Sequence, residues 1–543
     1  MQLNRFITLV LLSLVLSCQQ ESTQTSSFDS KLSTEYWYQH PLRIQQTVLR
    51  QPDPENYNVD SVVQYIYLGQ GIMAGEVTST SVILQSRLTV SDTLVNGELT
   101  GKQGLARFEI ALDSTFNSLF FSDFVEALPE NDFIIKKKIE SLKSGSKYLY
   151  RLRFGTDANS LFLSNTGPFK TLPGPDSDAK ISFIVATGMN YYHFHFGPYD
   201  STKAYSGNDK DLGYPSLQAI NTLNPDYFIG TGDNVYFDHP NKASFDRAFD
   251  AGKKPHPGRY DGIEVVDEVG MRRKYHEQFV QPRFRELFKT VATYWQKDDH
   301  DYRFNDADPY QEFPISHQLG IKNFKEQLPV VNPDYINSKT YRTHRMSQDL
   351  QIWLLEGRDY RSPNQMEDGP NKTLLGTEQL NWLKKTLMES DASFKFIISP
   401  TPIVGPDDAY KRDNHVNHQG FRYEGEAILK WLVDNGFLDK NLYIICGDRH
   451  WQYHAMHPSG IEEFSTGALV DNNSRPGRLT GDPNSTDPNG LVKQFYIQGN
   501  VESASGGFLS LSVERKDGFP TATFRYYDEK AKLLYEVIKE SHI

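Results

Sequence analysis

The run Leu442-Tyr443-Ile444-Ile445-Cys446-Gly447-Asp448-Arg449-His450 decides the fold. Its first part is continuously apolar with β-branched residues at the centre, the pattern of a strand buried on both faces. Gly447 ends the strand and polar side chains follow at once. Such strands belong to parallel sheets covered by helices, and ligands bind beyond their carboxyl ends. The same pattern recurs upstream in Ile181–Thr187, Tyr227–Gly230, Leu350–Leu355 and Phe394–Ile398. Between the last of these runs lie helices. Thr377 reads as an N-cap before Leu380, Leu383 and Leu387, and Ala427, Ile428, Trp431 and Leu432 mark a second helix stopped by Gly436. The alternation predicts an α/β layered domain over residues 174–543.

Further upstream the period changes to that of strands. Ser81–Leu88, Phe133–Ile139 and Leu142–Leu152 are rich in β-branched and aromatic residues, and Pro173-Gly174-Pro175-Asp176-Ser177-Asp178 is a linker by composition. Residues 60–173 are therefore expected to form a separate all-β domain. With 543 residues, 38 % apolar and 13 % aromatic, the chain can bury large cores and is not a disordered polymer. Its net charge of −12 excludes nucleic-acid binding through a bulk positive field. Two cysteines, Cys18 and Cys446, rule out a disulfide framework.

Polar clusters follow the strands. After Tyr227–Gly230 comes Gly232-Asp233-Asn234-Val235-Tyr236-Phe237-Asp238; later come Asp298-Asp299-His300-Asp301, then Glu356-Gly357-Arg358, then Asp448, His450 and His454. Carboxylate, imidazole and tyrosinate suit iron, manganese, calcium or zinc. One carboxylate can bridge two such ions about 3.5–4 Å apart. Such a pair supplies hydroxide near neutral pH for attack on phosphorus, Arg358 is placed to hold the phosphoryl oxygens, and His300 to protonate the leaving oxygen. The run Tyr192-His193-Phe194-His195-Phe196 alternates like a strand just past Ile181–Thr187, which makes Asn190, His193 and His195 candidates for metal or substrate contact, together with Glu356 and His454.

In their order these motifs resemble the metallophosphoesterases, most closely the alkaline phosphatase D (PhoD-like) family. The resemblance rests on Gly232-Asp233 with Tyr236, Asp298–Asp301, Gly357-Arg358, Gly376 with Gln379 and Trp382-Leu383, and Gly447-Asp448 with His450. Residues 60–173 resemble a fibronectin type III sandwich, as in that family's N-terminal part. The resemblance implies two or more metal ions held by Asp233, Tyr236, Asp299, Asp448 and His450, with Asp233 bridging, and a small-molecule or polymer-linked phosphate ester as substrate. Two departures stand out: Gly188 occupies the place of the family's cysteine ligand, and Glu356 that of an aspartate. A divergent branch is expected, and the alternatives are hydrolysis of another ester, such as a sulfated or phosphorylated glycan, or a non-catalytic surface binding protein. Ser474-Arg475-Pro476-Gly477-Arg478 superficially resembles a sulfatase signature but lies in the loop-like stretch Asp471–Gly490.

At the other end, Phe6–Leu16 is too short to span a bilayer and reads as a signal-peptide core. It runs into Ser17-Cys18, which resembles a bacterial lipobox. Residues 1–18 are thus expected to be a lipoprotein signal ending in a lipidated Cys18, and 19–59 a polar tether and N-terminal segment. The implied location is the bacterial cell envelope, with the membrane reached through lipid only.

Overall fold

The apolar runs form two large mixed sheets that pack face to face. The first carries, in order, Leu533–Glu540, Phe519–Asp528, Gly507–Lys516, Ile181–Ala186, Tyr227–Thr231, Ala292–Gln296, Ile72–Gly75, Val82–Arg87 and Ile134–Ile139. The second carries Arg342–Arg345, Leu350–Leu354, Phe394–Ser399, Leu442–Cys446, Glu462–Thr466, Gln452–Met456 and Lys493–Ile497. This structure, a computed structural model, describes residues 65–117, 119–198, 200–253, 264–498 and 506–542. Cys18, the apolar run before it and the polar stretch after it lie outside the described residues. No helix among the described residues is long and apolar enough to cross a membrane.

The period-2 geometry of a strand sorts the apolar residues between faces. Ile181, Phe183 and Val185 meet Ile352, Phe396, Ile398, Tyr443 and Phe464 between the sheets. Ile184, Ala186, Phe228 and Trp295 face outward, under Leu217, Ile220, Tyr275, Phe284 and Leu287 of the helices Pro215–Leu223, Glu268–Phe279 and Pro282–Thr290. On the far side Trp353, Ile397 and Ile444 pack under Leu383 and Leu387 of the helix Thr377–Glu389 and Ile428 and Leu432 of the helix Arg422–Asp434. Each fully buried side chain of this size stabilises the layers by about 1.5–3 kcal/mol relative to exposure. The strand beginning at Ile181 pairs in parallel with Tyr227–Thr231, which pairs in parallel with Ala292–Gln296; Leu350–Leu354, Phe394–Ser399 and Leu442–Cys446 do the same in the second sheet. Parallel pairing puts the carboxyl ends of each set on one edge. The amide of Gln296 ties the two sets together, donating to the carbonyls of Leu355 at 2.7 Å and Ile398 at 2.9 Å.

Among the residues before 174, Gly104–Ala111 and Lys147–Gly155 form the centre of a third, antiparallel sheet. Its Phe108, Ile110, Tyr150 and Leu152 share a core with Ile72, Val82, Leu84 and Ile135 of the first sheet. The first sheet runs across residue 173, because Gly75 pairs in parallel with Thr293.

Two local expectations are corrected. Tyr191–Phe196 is a helix, not a strand, because the Asn190 side chain accepts from the His193 amide and caps it. Thr377 is the first helical residue and not the N-cap, which is Gly376 at φ 75° with no side-chain cap.

Candidate active site

The site grows from the loops that leave the carboxyl ends of the parallel strands. Gly232 lets two of them touch: a Cβ there would lie 2.5 Å from Asp298 Cβ, and its φ of +104° suits glycine. Asp301 braces the same contact. Its carboxylate accepts from the amides of Asp233 at 3.2 Å, Asn234 at 3.2 Å and Asp298 at 2.7 Å. Asp233 and Asp448 both sit at positive φ, 55° and 58°. Such backbone is sparsely populated outside glycine and persists where surroundings impose it, often at functional sites.

Asp233, Tyr236 and His450 converge. Asp233 Oδ2 accepts from the Tyr236 hydroxyl at 2.9 Å and lies 3.0 Å from His450 Nε2, which is 3.3 Å from the Tyr236 hydroxyl. Asp233, Asp299 and His300 offer ligand atoms within 4.8 Å of one another, and so do Asp299, Asp306 and Asp413. His300 Nδ1 is 2.7 Å from Asp238 Oδ1, and Asp238 Oδ2 accepts from the Asn305 amide. That pairing orients the imidazole and leaves Nε2 as the nitrogen for proton exchange.

The residues fit a metal centre. Asp233 Oδ1, Asp298 Oδ2, Asp299 Oδ1 and Asp413 Oδ1 are buried with no hydrogen-bond partner among the described residues. A buried ionised oxygen left unsatisfied is costly, and cations would satisfy these. Burial raises the Asp233 carboxyl, and the Asp299 charge adds to the rise against the lowering effect of His300. Burial works against a charged His300 ring, yet Asp238, Asp299 and Asp233 outweigh it and hold its pKa well above the ordinary range. Burial, followed by the positive charge of Arg475, keeps His450 well below that range, and burial pushes His193 down to about 3. Neutral rings are the form that binds metal.

Asn190 and His193 stand beside this cluster through a residue that sequence reasoning missed. Asn473 donates from Nδ2 to the Tyr236 hydroxyl at 2.7 Å and to the Gly188 carbonyl at 3.2 Å; its Oδ1 lies 3.1 Å from His193 Nδ1 and 3.3 Å from Asn190 Nδ2. A Cβ at Gly188 would lie 2.9 Å from Ala468 Cβ and 3.2 Å from Asn473 Nδ2, so a neutral amide stands against the position where the family's cysteine would point. His239 was also missed: its ring stacks on Tyr236 and His193, and its Nδ1 is 2.7 Å from Asn190 Nδ2. Asp238 and Asp298 fall inside the polar clusters that follow the strands, though without an assigned role; Asp413, Asn473 and His239 carry no local signal beyond polar loop composition, and the fold brings them in.

Other candidates are placed elsewhere. His195 bonds Gln281, and His454 is held by Glu462 and Tyr535 and stacked on Phe464. Glu356 is engaged at both oxygens, by Lys297, Thr340 and the amides of Arg358 and Asp359. Asp448, by contrast, stays beside the cluster: it pairs with Arg449, and its carboxyl, raised by burial first, feels the charges of Asp413, Asp298 and Asp299.

Arg358 requires a correction. It is fully buried; Nε donates to Asp298 Oδ1 at 2.7 Å, Nη1 to the Ala307 carbonyl at 3.1 Å and Nη2 to Asp413 Oδ2 at 3.2 Å. A fork so occupied neutralises the acidic cluster and is not open to grip a phosphoryl group. Arg358→Met is therefore expected to destabilise the fold by about 3–5 kcal/mol, as removal of one partner from a buried charge network does. Denaturant unfolding reads this; unchanged unfolding with lost activity would restore the phosphoryl-gripping role.

Residues 196–505 match the family described as PhoD-like phosphatase, and residues 60–173 match PhoD-like phosphatase, N-terminal domain. Alkaline phosphatase D of Bacillus subtilis (strain 168) is 22 % identical over 416 residues, which are 70 % of this chain and 64 % of the relative's length. The match thus spans less than two thirds of that relative. Among solved structures, one titled "Structure of PhoD" aligns with a TM-score of 0.66 at 18 % identity, covering 87 % of this chain and 90 % of that one. The purple acid phosphatase PPD1 from yellow lupin seeds aligns at 0.52 and 10 % identity, covering 86 % and 73 %. The likeness shows a metallophosphoesterase-like α/β fold.

Proposed function

The chain belongs to the PhoD-like phosphatase family, and we propose that it is a metal-dependent hydrolase of phosphate esters, monoester or diester, whose cations Asp233, Tyr236, Asp299, Asp448 and His450 would hold. The observation that carries this reading is the pair of buried oxygens, Asp233 Oδ1 and Asp299 Oδ1, that accept no hydrogen bond among the described residues and lie in one cluster with His300. Bound there, the cations supply an activated water near neutral pH and positive charge for the phosphoryl oxygens. His300, oriented by Asp238, gives its proton to the departing oxygen. Asn473 donates to the Tyr236 hydroxyl, which in turn donates to Asp233 and lies beside His450. With Gly188 in place of a thiolate, the donors are oxygen and nitrogen, which suit calcium, manganese, iron or zinc. A panel of phosphate and sulfate esters tests the function. Turnover of phosphate esters, abolished by chelation and restored by metal, is expected; turnover of sulfate esters alone would overturn it.

The same proposal covers the remaining organisation. Residues 60–173 are a fibronectin type III-like sandwich, supported by the antiparallel layers that share Phe108, Tyr150, Val82 and Ile135. Cys18 is lipidated and tethers the chain to the cell envelope, and the acidic balance argues against nucleic acid as a partner. Cys18→Ser is expected to move the protein from the membrane pellet to the soluble fraction; unchanged partition would sink the anchor.

A further inference from the structure

The phosphoryl group of a substrate carries charge that metals alone need not take, and the burial of Arg358 leaves open which side chain of this chain meets it. The cations near the site differ in how far they are already committed. Arg358 is enclosed by Asp298, Asp413 and the Ala307 carbonyl. Arg449 is fully buried and pairs with Asp407 and Asp448. Lys411 is 8 % exposed and pairs with Asp306. Arg475 is different: its side chain is 36 % exposed, and among the described residues its one charged partner is Asp408, reached from Nη1 at 3.0 Å. Among the described residues its Nε and Nη2 make no hydrogen bond to protein.

Its position is built. The Arg475 amide donates to the carbonyl of His450 at 3.0 Å, so the residue is fastened to the chain segment that carries a site imidazole. Its guanidinium lies 4.9 Å from the centre of the Trp451 ring, which Arg449 approaches at 5.5 Å. Gly477 lets the backbone pass over the indole edge, since a Cβ there would lie 2.3 Å from Trp451 Cδ1. Asp408, 4 % exposed, holds Arg475 with one oxygen and Arg478 with the other. The same loop delivers Asn473 to the Tyr236 hydroxyl. The His450 side chain, on the segment to which the Arg475 amide is fastened, is 13 % exposed, whereas that of Asp233 is 1 % exposed.

We propose that Arg475 is the arginine that grips the phosphoryl oxygens of the substrate at the mouth of the site, the part that Arg358 is too enclosed to play. This rests on the phosphate-ester reading above and deepens it. A planar fork fixed at one nitrogen and open at the others matches two oxygens of a phosphoryl group. The loop that superficially resembles a sulfatase signature thereby has a role: it carries an anion-binding arginine, not a nucleophile.

The test uses the metal-loaded full chain and inorganic phosphate as the probe. Calorimetry should show phosphate binding to the wild type weakened about 10²-fold in Arg475→Gln, the scale of a lost charge-stabilising donor, with unchanged metal content by elemental analysis. kcat/KM for an aryl phosphate should fall in step. Arg475→Lys, which keeps the charge and loses the fork, should fall between, and added guanidinium ion should recover part of the loss in Arg475→Gln. Phosphate affinity within threefold of wild type in both variants, no phosphate binding by the metal-loaded wild type, or loss of metal in parallel with affinity would overturn the proposal. Because phosphate binding is read without turnover, a negative ester panel with intact, Arg475-dependent phosphate binding would count against the proposed reaction and not against Arg475.

Discussion

Asp233→Asn is expected to lose bound metal and activity together. Asp233 Oδ2 faces Tyr236 and His450 while the buried Oδ1 has no protein partner, so one carboxylate serves two directions. Asparagine keeps one acceptor, removes the charge and turns an N–H₂ toward a cation. The substitution isolates this effect, because the backbone at φ 55° is as accessible to asparagine as to aspartate. Changing an outer partner of a ligand typically lowers metal affinity about 10–100-fold, and losing a shared ligand is expected to exceed that. Elemental analysis after dialysis, set beside turnover, decides the matter. Full metal occupancy with normal turnover would make Asp233 a turn residue.

His300→Ala should widen the rate ratio between aryl and alkyl phosphates by about 10²–10⁴-fold, the usual contribution of a positioned proton donor. A nitrophenolate leaves unaided, whereas an alkoxide needs its oxygen protonated. The carboxylate of Asp238, 2.7 Å from Nδ1, and the neighbouring Asp299 and Asp233 charges favour the protonated ring that such a donor requires. The alternative is that His300 is a metal ligand, since its ring also lies in the cluster with Asp233 and Asp299. A ligand would serve both leaving groups alike. Equal slowing of aryl and alkyl esters, accompanied by metal loss, would withdraw the proton-donor role.

The two classes of residue around the site differ in how they could be found. Asp233, Tyr236 and His450 stand directly after apolar runs, where a parallel sheet exposes its loops, and Asp299 lies in an acidic run whose preceding strand, Ala292–Gln296, was not anticipated from the sequence. Asn473, His239 and Asp413 lie in loops whose composition is that of any polar surface. Tyr191–Phe196 shows the limit in the other direction: its strand-like alternation yielded to one capping hydrogen bond from Asn190. The antiparallel strands Gly507–Lys516, Phe519–Asp528 and Leu533–Glu540, which extend the first sheet to its edge, were not anticipated either, because pairing partners are not written in a strand's own period.

By itself, then, the amino-acid sequence determined the α/β layering and the edge on which the chemistry lies, since both follow from local periodicity: apolar strands buried on two faces need helices over them, and parallel strands present their carboxyl ends together. Only the tertiary structure decided which polar side chains meet there and which cations remain open. Glu356 and Arg358 belong to one short motif, yet Lys297 claims the first while Asp298 and Asp413, from distant loops, enclose the second. Arg475, in the loop with the sulfatase-like run, is held by Asp408 at one nitrogen and keeps its side chain 36 % exposed. The physical reason is that a buried charge takes whichever counter-charge the packing brings within reach, and that choice is made by contacts between segments 55 to 60 residues apart.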